Sequence, residues 1–175
     1  MMDFFSLPIF YYVDPVYRAM IWVFVAMLGA ALGSFSSAIA YRTLRGRSWV
    51  IGDAECQGGR AARSTCPNCG HVLGVADLIP IFSWVFLGGK CRYCRLNVPM
   101  RYPILEAVSA ALFLGFFVGK GDQIPLIYTG IFALVLPFFM AFIGALLEKK
   151  RGLPKILYLY GLFSAMIMIS IIMFP

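Results

Sequence analysis

Four long apolar runs, at residues 19–41, 104–118, 124–147 and 156–174, dominate this 175-residue chain. A helix needs about 17–25 predominantly apolar residues to cross the hydrocarbon core of a bilayer. Three of the runs reach that length as they stand, and the second reaches it by extending back through residues 101–103 at the interface. Composition agrees: 61% of residues are hydrophobic and 13% charged, against about 45–50% apolar and about 25% charged in soluble domains. The sequence therefore predicts an all-α membrane protein with about four transmembrane helices. Residues 1–18 read as a periplasmic or interfacial lead-in, because they carry aromatics and acids but lack the basic start of a signal peptide.

Charge sets the orientation. The net charge is +7, which elsewhere would suggest nucleic acid, but here the basic residues cluster in loops that flank the apolar runs. Nine of the 15 lie between Arg42 and Arg101, and four more, Lys149, Lys150, Arg151 and Lys155, follow the third run. In a four-span topology both loops share one face, leaving only Arg18 and Lys120 on the other. The positive-inside rule makes the loaded face cytoplasmic. The expectation is a multi-pass protein of a bacterial inner membrane with both termini periplasmic, the membrane as its first partner, and no nucleic acid.

The first loop, residues 42–103, separates the first span (19–41) from the remaining three (104–175), and it carries the most specific motif. Cys66-x-x-Cys69 and Cys91-x-x-Cys94 are separated by 21 residues, slightly beyond the usual spacing of about 15–20 for paired knuckles. On the reducing side of the membrane structural disulfides are rare. Four soft ligands suit a closed tetrahedral Zn²⁺ site of structural type. The expectation is a cytoplasmic zinc-ribbon-like loop. His71 reads as a bystander and Cys56 as an ordinary free thiol. The apolar stretch 78–87 between the knuckles is too short to span, so it is expected on the membrane surface or against the helix ends, with Trp84 near the headgroups. Asp77 is expected to cap its start.

Three stretches in this order carry a resemblance: GSFSSAIAYR at 33–42, CPNCGHVLGVADLIPIFSWVFLGGKCRYC at 66–94 and NVPMRYPILEA at 97–107. They resemble the N-terminal region of bacterial prepilin peptidases, the type IV leader peptidase/N-methyltransferase group of the peptidase A24 family. One small departure is Ser37, where the family usually has Asn. The resemblance implies processing of prepilins or pseudopilins for type IV pili or type II secretion: leader cleavage at the cytoplasmic face, then N-methylation with S-adenosylmethionine. That cofactor is implied by the resemblance alone, since no glycine-rich nucleotide fingerprint accompanies it.

The two catalytic aspartates that the resemblance implies have no counterpart in these residues, so the catalytic assignment is none. The first should lie seven residues before Pro154, where Leu147 stands. Glu148 is one position off, which turns a helical side chain by about 100°. Gly119-Lys120-Gly121-Asp122 matches the second motif by letter but lies after the second span. The 26 residues from Asp122 to Glu148 would place the two carboxylates about 39 Å apart on a helix, too far for a dyad sharing one proton.

Glu106 and Arg101 remain as substrate-binding candidates. An acid this close to the membrane is a functional candidate by default, able to hold the amino group of a trimmed prepilin. The equal alternative is an ion pair of Glu106 with Arg101 or Arg42. The small residues of the first span, Gly29 to Ser37, permit either a partner helix or internal packing, the latter favoured. Two functions follow. The chain retains the methyltransferase or substrate-engaging part of the enzyme, or it is a non-catalytic partner that docks prepilins or completes a separate aspartic protease subunit.

Overall fold

The computed structural model describes residues 14–48, 63–120, 126–148 and 154–173. The lead-in up to residue 13, Cys56, Asp122 and the basic residues 149–151 lie outside the described residues. Helix α1 (Pro15–Thr43) is followed by a 3-10 turn (Val75–Leu78), the short α2 (Phe82–Phe86), and then α3 (Arg101–Lys120), α4 (Leu126–Leu147) and α5 (Lys155–Met173). Helices α1, α3, α4 and α5 are long and apolar enough to cross a membrane. The architecture is all-helical with four candidate spans, and β-pairing among the described residues is confined to two isolated bridges.

One helix start differs from the sequence expectation and one agrees with it. α1 begins at Pro15, four residues early, because Asp14 caps it: its Oδ1 accepts the Val16 N–H at 2.8 Å. A proline at the first position needs no hydrogen bond there and already has the helical φ. α3 takes in residues 101–103, since Pro103 in the first turn removes an N–H that would have no helical partner in any case. The helix thus starts at Arg101, with the backward extension through 101–103 read from the sequence.

α1 packs against both α3 and α4, while α5 lies against α4. The α1–α3 contact depends on glycine. A Cβ on Gly33 would stand 2.8 Å from the Glu106 Cα, and one on Gly29 would stand 2.9 Å from the Ala110 Cα. Small residues allow such backbone approach in a membrane, where dispersion packing rather than the hydrophobic effect joins helices. The stripe on α1 therefore serves internal packing. Ser36 and Ser37 close the same face, their hydroxyls donating to the Gly33 carbonyl at 2.5 and 3.2 Å.

Phe132, Leu136 and Met140 of α4 form the deepest part of the core with Phe113 and Phe116 of α3. Phe116 and Phe132 stack at 4.0 Å between centroids. α4 accommodates Pro137 in its interior. On α5 the buried residues Leu157, Gly161, Ser164, Met168 and Ile171 recur every three or four positions, a single seam, and Phe142 of α4 fills the notch at Gly161.

Candidate functional site

The four cysteines that the sequence singled out converge. Their Sγ atoms all lie within 4.8 Å of one another, and Cys66 and Cys94 are 4.0 Å apart. A tetrahedral ion bound at about 2.3 Å from each sulfur would hold the sulfurs about 3.8 Å apart. The separation is far from the roughly 2.05 Å of a disulfide, and all four thiols are free. The donor set and its spacing fit a closed four-thiolate metal site.

Each pair sits on a knuckle, and the two knuckles are one structure repeated 25 positions apart. Cys66 N–H donates to the His71 carbonyl as Cys91 N–H does to Leu96, both at 2.9 Å. Gly70 N–H returns to Cys66 as Arg95 N–H does to Cys91. The bridges Thr65–Val72 and Lys90–Asn97 close the two loops in the same register. Gly70 and Arg95 occupy matching left-handed positions at φ +71° and +61°. Asn68 ties the first knuckle to the second by donating to the Asn97 carbonyl at 3.1 Å. His71 stands aside, its ring 3.7 Å from that of Tyr93.

From residue 63 to 100 only Cys66, Gly89 and Cys91 are buried, so the loop has almost no apolar core of its own. Binding energy from an ion is then folding energy. The thiols themselves are unequal. Burial pushes Cys66 up to about 12. At Cys91 burial opposes ionisation too, but the backbone N–H groups of Cys94 and Tyr93 outweigh it and bring the thiol down to about 7.

Asp77 links the apolar segment to the second knuckle. Its Oδ2 accepts from the Gly74 N–H at 3.1 Å, which caps the 3-10 turn, and from the Tyr93 hydroxyl at 3.2 Å, while its Oδ1 forms an ion pair with Arg92 at 2.8 Å. Trp84 packs against the loop's own backbone. Its indole N–H donates to the Val98 carbonyl at 3.0 Å, and its ring lies against Gly89. A Cβ there would stand 2.8 Å from the ring, and φ is +71°, so both space and backbone call for glycine.

Beneath the knuckles a cavity of about 160 Å³ lies between the loop and the helix ends. Its walls include Cys66, Cys91 and Trp84 from the loop, Ser37 and Tyr41 from α1, and Glu106 from α3. Glu106 is 9% exposed. It makes neither of the ion pairs considered from sequence. Its Oε2 accepts the Ile81 backbone N–H at 2.6 Å, and the Ser34 hydroxyl of α1 is its other partner. Arg101 turns away to Glu148 at 3.5 Å, beside Arg45 at 3.3 Å on the same carboxylate oxygen. The structure thus brings Glu106 to the cavity and draws Arg101 into a different cluster. The sequence carried no signal for Ile81, 25 residues from Glu106, or for Ser34.

A family model described as the bacterial Peptidase A24 N-terminal domain matches residues 27–119, from the middle of α1 through the loop to the end of α3. The chain belongs to that family. Several curated A24 relatives are prepilin leader peptidase/N-methyltransferases. The Burkholderia pseudomallei (strain 1026b) protein is 35% identical over 107 residues, covering 53% of this chain and 35% of the relative. The Myxococcus xanthus (strain DK1622) protein is 36% identical over 91 residues, covering 52% and 24%. The Pectobacterium carotovorum protein is 35% identical over 107 residues, covering 53% and 38%. The match therefore takes in at most 38% of the length of these three relatives. No solved structure matches the chain. The A24 N-terminal match contains all four cysteines, Glu106 and every wall of the cavity, whereas α4 and α5 lie beyond it.

Proposed function

We propose that this chain is the client-engaging part of a prepilin-processing system in a bacterial inner membrane, with the thiol cluster on the cytoplasmic side and both termini periplasmic. The observation that carries the reading is the cavity itself. It places a shielded carboxylate, Glu106, at the level of the membrane helices, under a loop braced by four cysteines. A trimmed prepilin presents a protonated amine at the end of an apolar helix. Such an end needs an anion that is screened from water and close to lipid, where opposite charges attract more strongly than in solution.

The loop ion is proposed to be Zn²⁺, since four thiolates and no open position suit it and give it a structural task. Leader cleavage would require carboxylates from outside these residues, supplied by a separate aspartic protease chain. For methyl transfer the amine would first give its proton to the Glu106 carboxylate, and its freed lone pair would take the methyl group from S-adenosylmethionine, with S-adenosylhomocysteine leaving. Arg101, held on Glu148, is proposed to act on the client only by fixing the start of α3.

The test presents purified, metal-loaded chain with a pre-trimmed prepilin peptide and labelled methyl donor. Label on the peptide, lost on chelation, supports a retained transferase. Binding without transfer, weakened by Glu106→Ala, supports the docking module. Absence of both binding and transfer overturns the proposal.

A further inference from the structure

We infer that residues 78–86 form a re-entrant wedge seated in the lipid of the leaflet on the loop side, with the outer face of α2 against acyl chains. This does not depend on the prepilin reading. The first ground is depth. The candidate span Arg101–Gly119 has 19 residues, about 28 Å of helix, barely the roughly 30 Å thickness of the hydrocarbon core. Its first residue must therefore sit at the edge of that core. Glu106 lies five residues further in, about 7.5 Å along the axis. Its side chain leans back toward the helix start, so the Ile81 N–H that it accepts lies in the boundary zone, at or just inside the headgroups.

The second ground is the surface presented there. Phe82, Val85 and Phe86 are 48%, 59% and 82% exposed. On a helix these positions share one face, and Ile79, just before the helix, is 43% exposed. The opposite face, Ser83, Trp84 and Leu87, lines the cavity. The two faces thus separate by environment, one toward protein and one toward whatever surrounds the protein at that depth.

The third ground is backbone satisfaction. Non-helical backbone is tolerated at membrane depth only where its polar groups find partners within the protein. Pro80 brings no N–H, the Ile81 N–H goes to Glu106, and the Ser83 N–H goes to the Ile79 carbonyl at 3.0 Å. A turn closed off in this way can lie in lipid. In this position Glu106 faces a fixed N–H donor on the protein side of the wedge, which also explains an acid among apolar neighbours.

The test uses the full chain, alone, in phosphatidylcholine–phosphatidylglycerol vesicles with bromine high on the acyl chains. Phe86→Trp and Phe82→Trp are compared with a parent in which Trp22 and Trp49 are replaced by Phe. The added emission should be blue-shifted and fall roughly twofold in brominated vesicles, as for an apolar helix face buried about 5–10 Å into the boundary. Aqueous iodide should leave it nearly unchanged. Red-shifted emission at both positions, quenched by iodide and not by brominated lipid, overturns the wedge. It would leave the face to a client helix or a second copy.

Discussion

Ile81 and Glu106 are joined by a 2.6 Å hydrogen bond from a backbone N–H to a carboxylate, and this bond couples the cysteine loop to a membrane-spanning helix. Ile81 sits at φ +64°, ψ −53°, the centre of a γ-turn closed by the Phe82 N–H on the Pro80 carbonyl. A β-branched residue adopts it only under constraint, at a cost of about 1–3 kcal/mol. A hydrogen bond to a charged group contributes about 1.5–3 kcal/mol, enough to offset it.

Two substitutions at Glu106 therefore separate structure from recognition. Glu106→Ala leaves the Ile81 N–H without its acceptor, at about 1–3 kcal/mol. We expect accelerated amide exchange at residues 79–83 and easier proteolysis of the loop. Glu106→Gln keeps an acceptor, so exchange should remain close to that of the parent. If the carboxylate also receives a client amine, Gln should still weaken binding of an amine-terminated peptide at least about tenfold, the 1.4 kcal/mol expected for losing a charged partner. Equal binding by parent and Gln variants would mean that the carboxylate serves only the loop.

The cysteine cluster yields a stoichiometric expectation. The purified protein should carry one Zn²⁺ per chain, measurable by elemental analysis, and removing it should expose the loop to protease while leaving helicity nearly intact. Serine at Cys66 or Cys91 should reproduce that effect. Metal affinity should fall as pH falls, because protons compete for thiolates. Burial holds the Cys66 thiol up, while at Cys91 burial is outweighed by backbone N–H groups that draw the thiol down, so the cluster must release protons to the solvent as the ion enters. Competition titrations between pH 6 and 8 give the slope. Metal-free protein with an unaltered proteolysis pattern would contradict the folding role.

The cysteine knuckles and the four spans were legible in the sequence because both are local signals. Cys-x-x-Cys brings its own turn, and an apolar run of sufficient length has few alternatives to a membrane. Asp77 was expected to cap the start of the apolar stretch at 78, but it reaches back to Gly74 instead, and α2 begins without a side-chain cap. Contacts that depend on how helices cross were not legible. Gly33 reads only as a small residue until it is seen against the Glu106 backbone, and that approach decides where the Glu106 carboxylate points. Nor could residue type alone show that Trp84 would meet the Val98 carbonyl and the open face of Gly89. Arg101 and Glu106, five residues apart, looked like partners, yet Arg101 was drawn to Glu148.

Glu148 sits beside the position where the family resemblance would place an aspartate, but here it accepts from Arg45 and Arg101. Its side chain is 18% exposed, and the two arginines are 31% and 28% exposed. Partly exposed pairs contribute little, about 0–1 kcal/mol each, and are weakened by salt. Glu148→Gln should therefore lower stability by less than about 2 kcal/mol for the two pairs together. The loss should shrink in high salt, and client binding at Glu106 should not change. A large loss of client binding or transfer with unchanged stability would give Glu148 a chemical role that this geometry does not support.

The packing of α1 on α3 is sensitive to a single added group. At Gly33 a methyl would meet the Glu106 Cα at 2.8 Å, the Ser109 Cβ at 2.8 Å and the Leu105 carbonyl at 2.9 Å. Two of these are backbone atoms that cannot swing aside. Gly33→Ala should cost about 1–3 kcal/mol as an overpacking defect, and Gly33→Val should cost more. At Gly115, in the same pair of helices, nothing lies within 4 Å of an added Cβ, so Gly115→Ala should be neutral or gain about 0.5–1 kcal/mol from helix propensity. Thermal unfolding in one detergent, followed by helicity, compares the two directly. Because Gly33 abuts the residue that holds Ile81, Gly33→Ala should also speed amide exchange at residues 79–83, whereas Gly115→Ala should not. Equal behaviour of the two variants would mean that α1 and α3 are not held at this distance in the membrane.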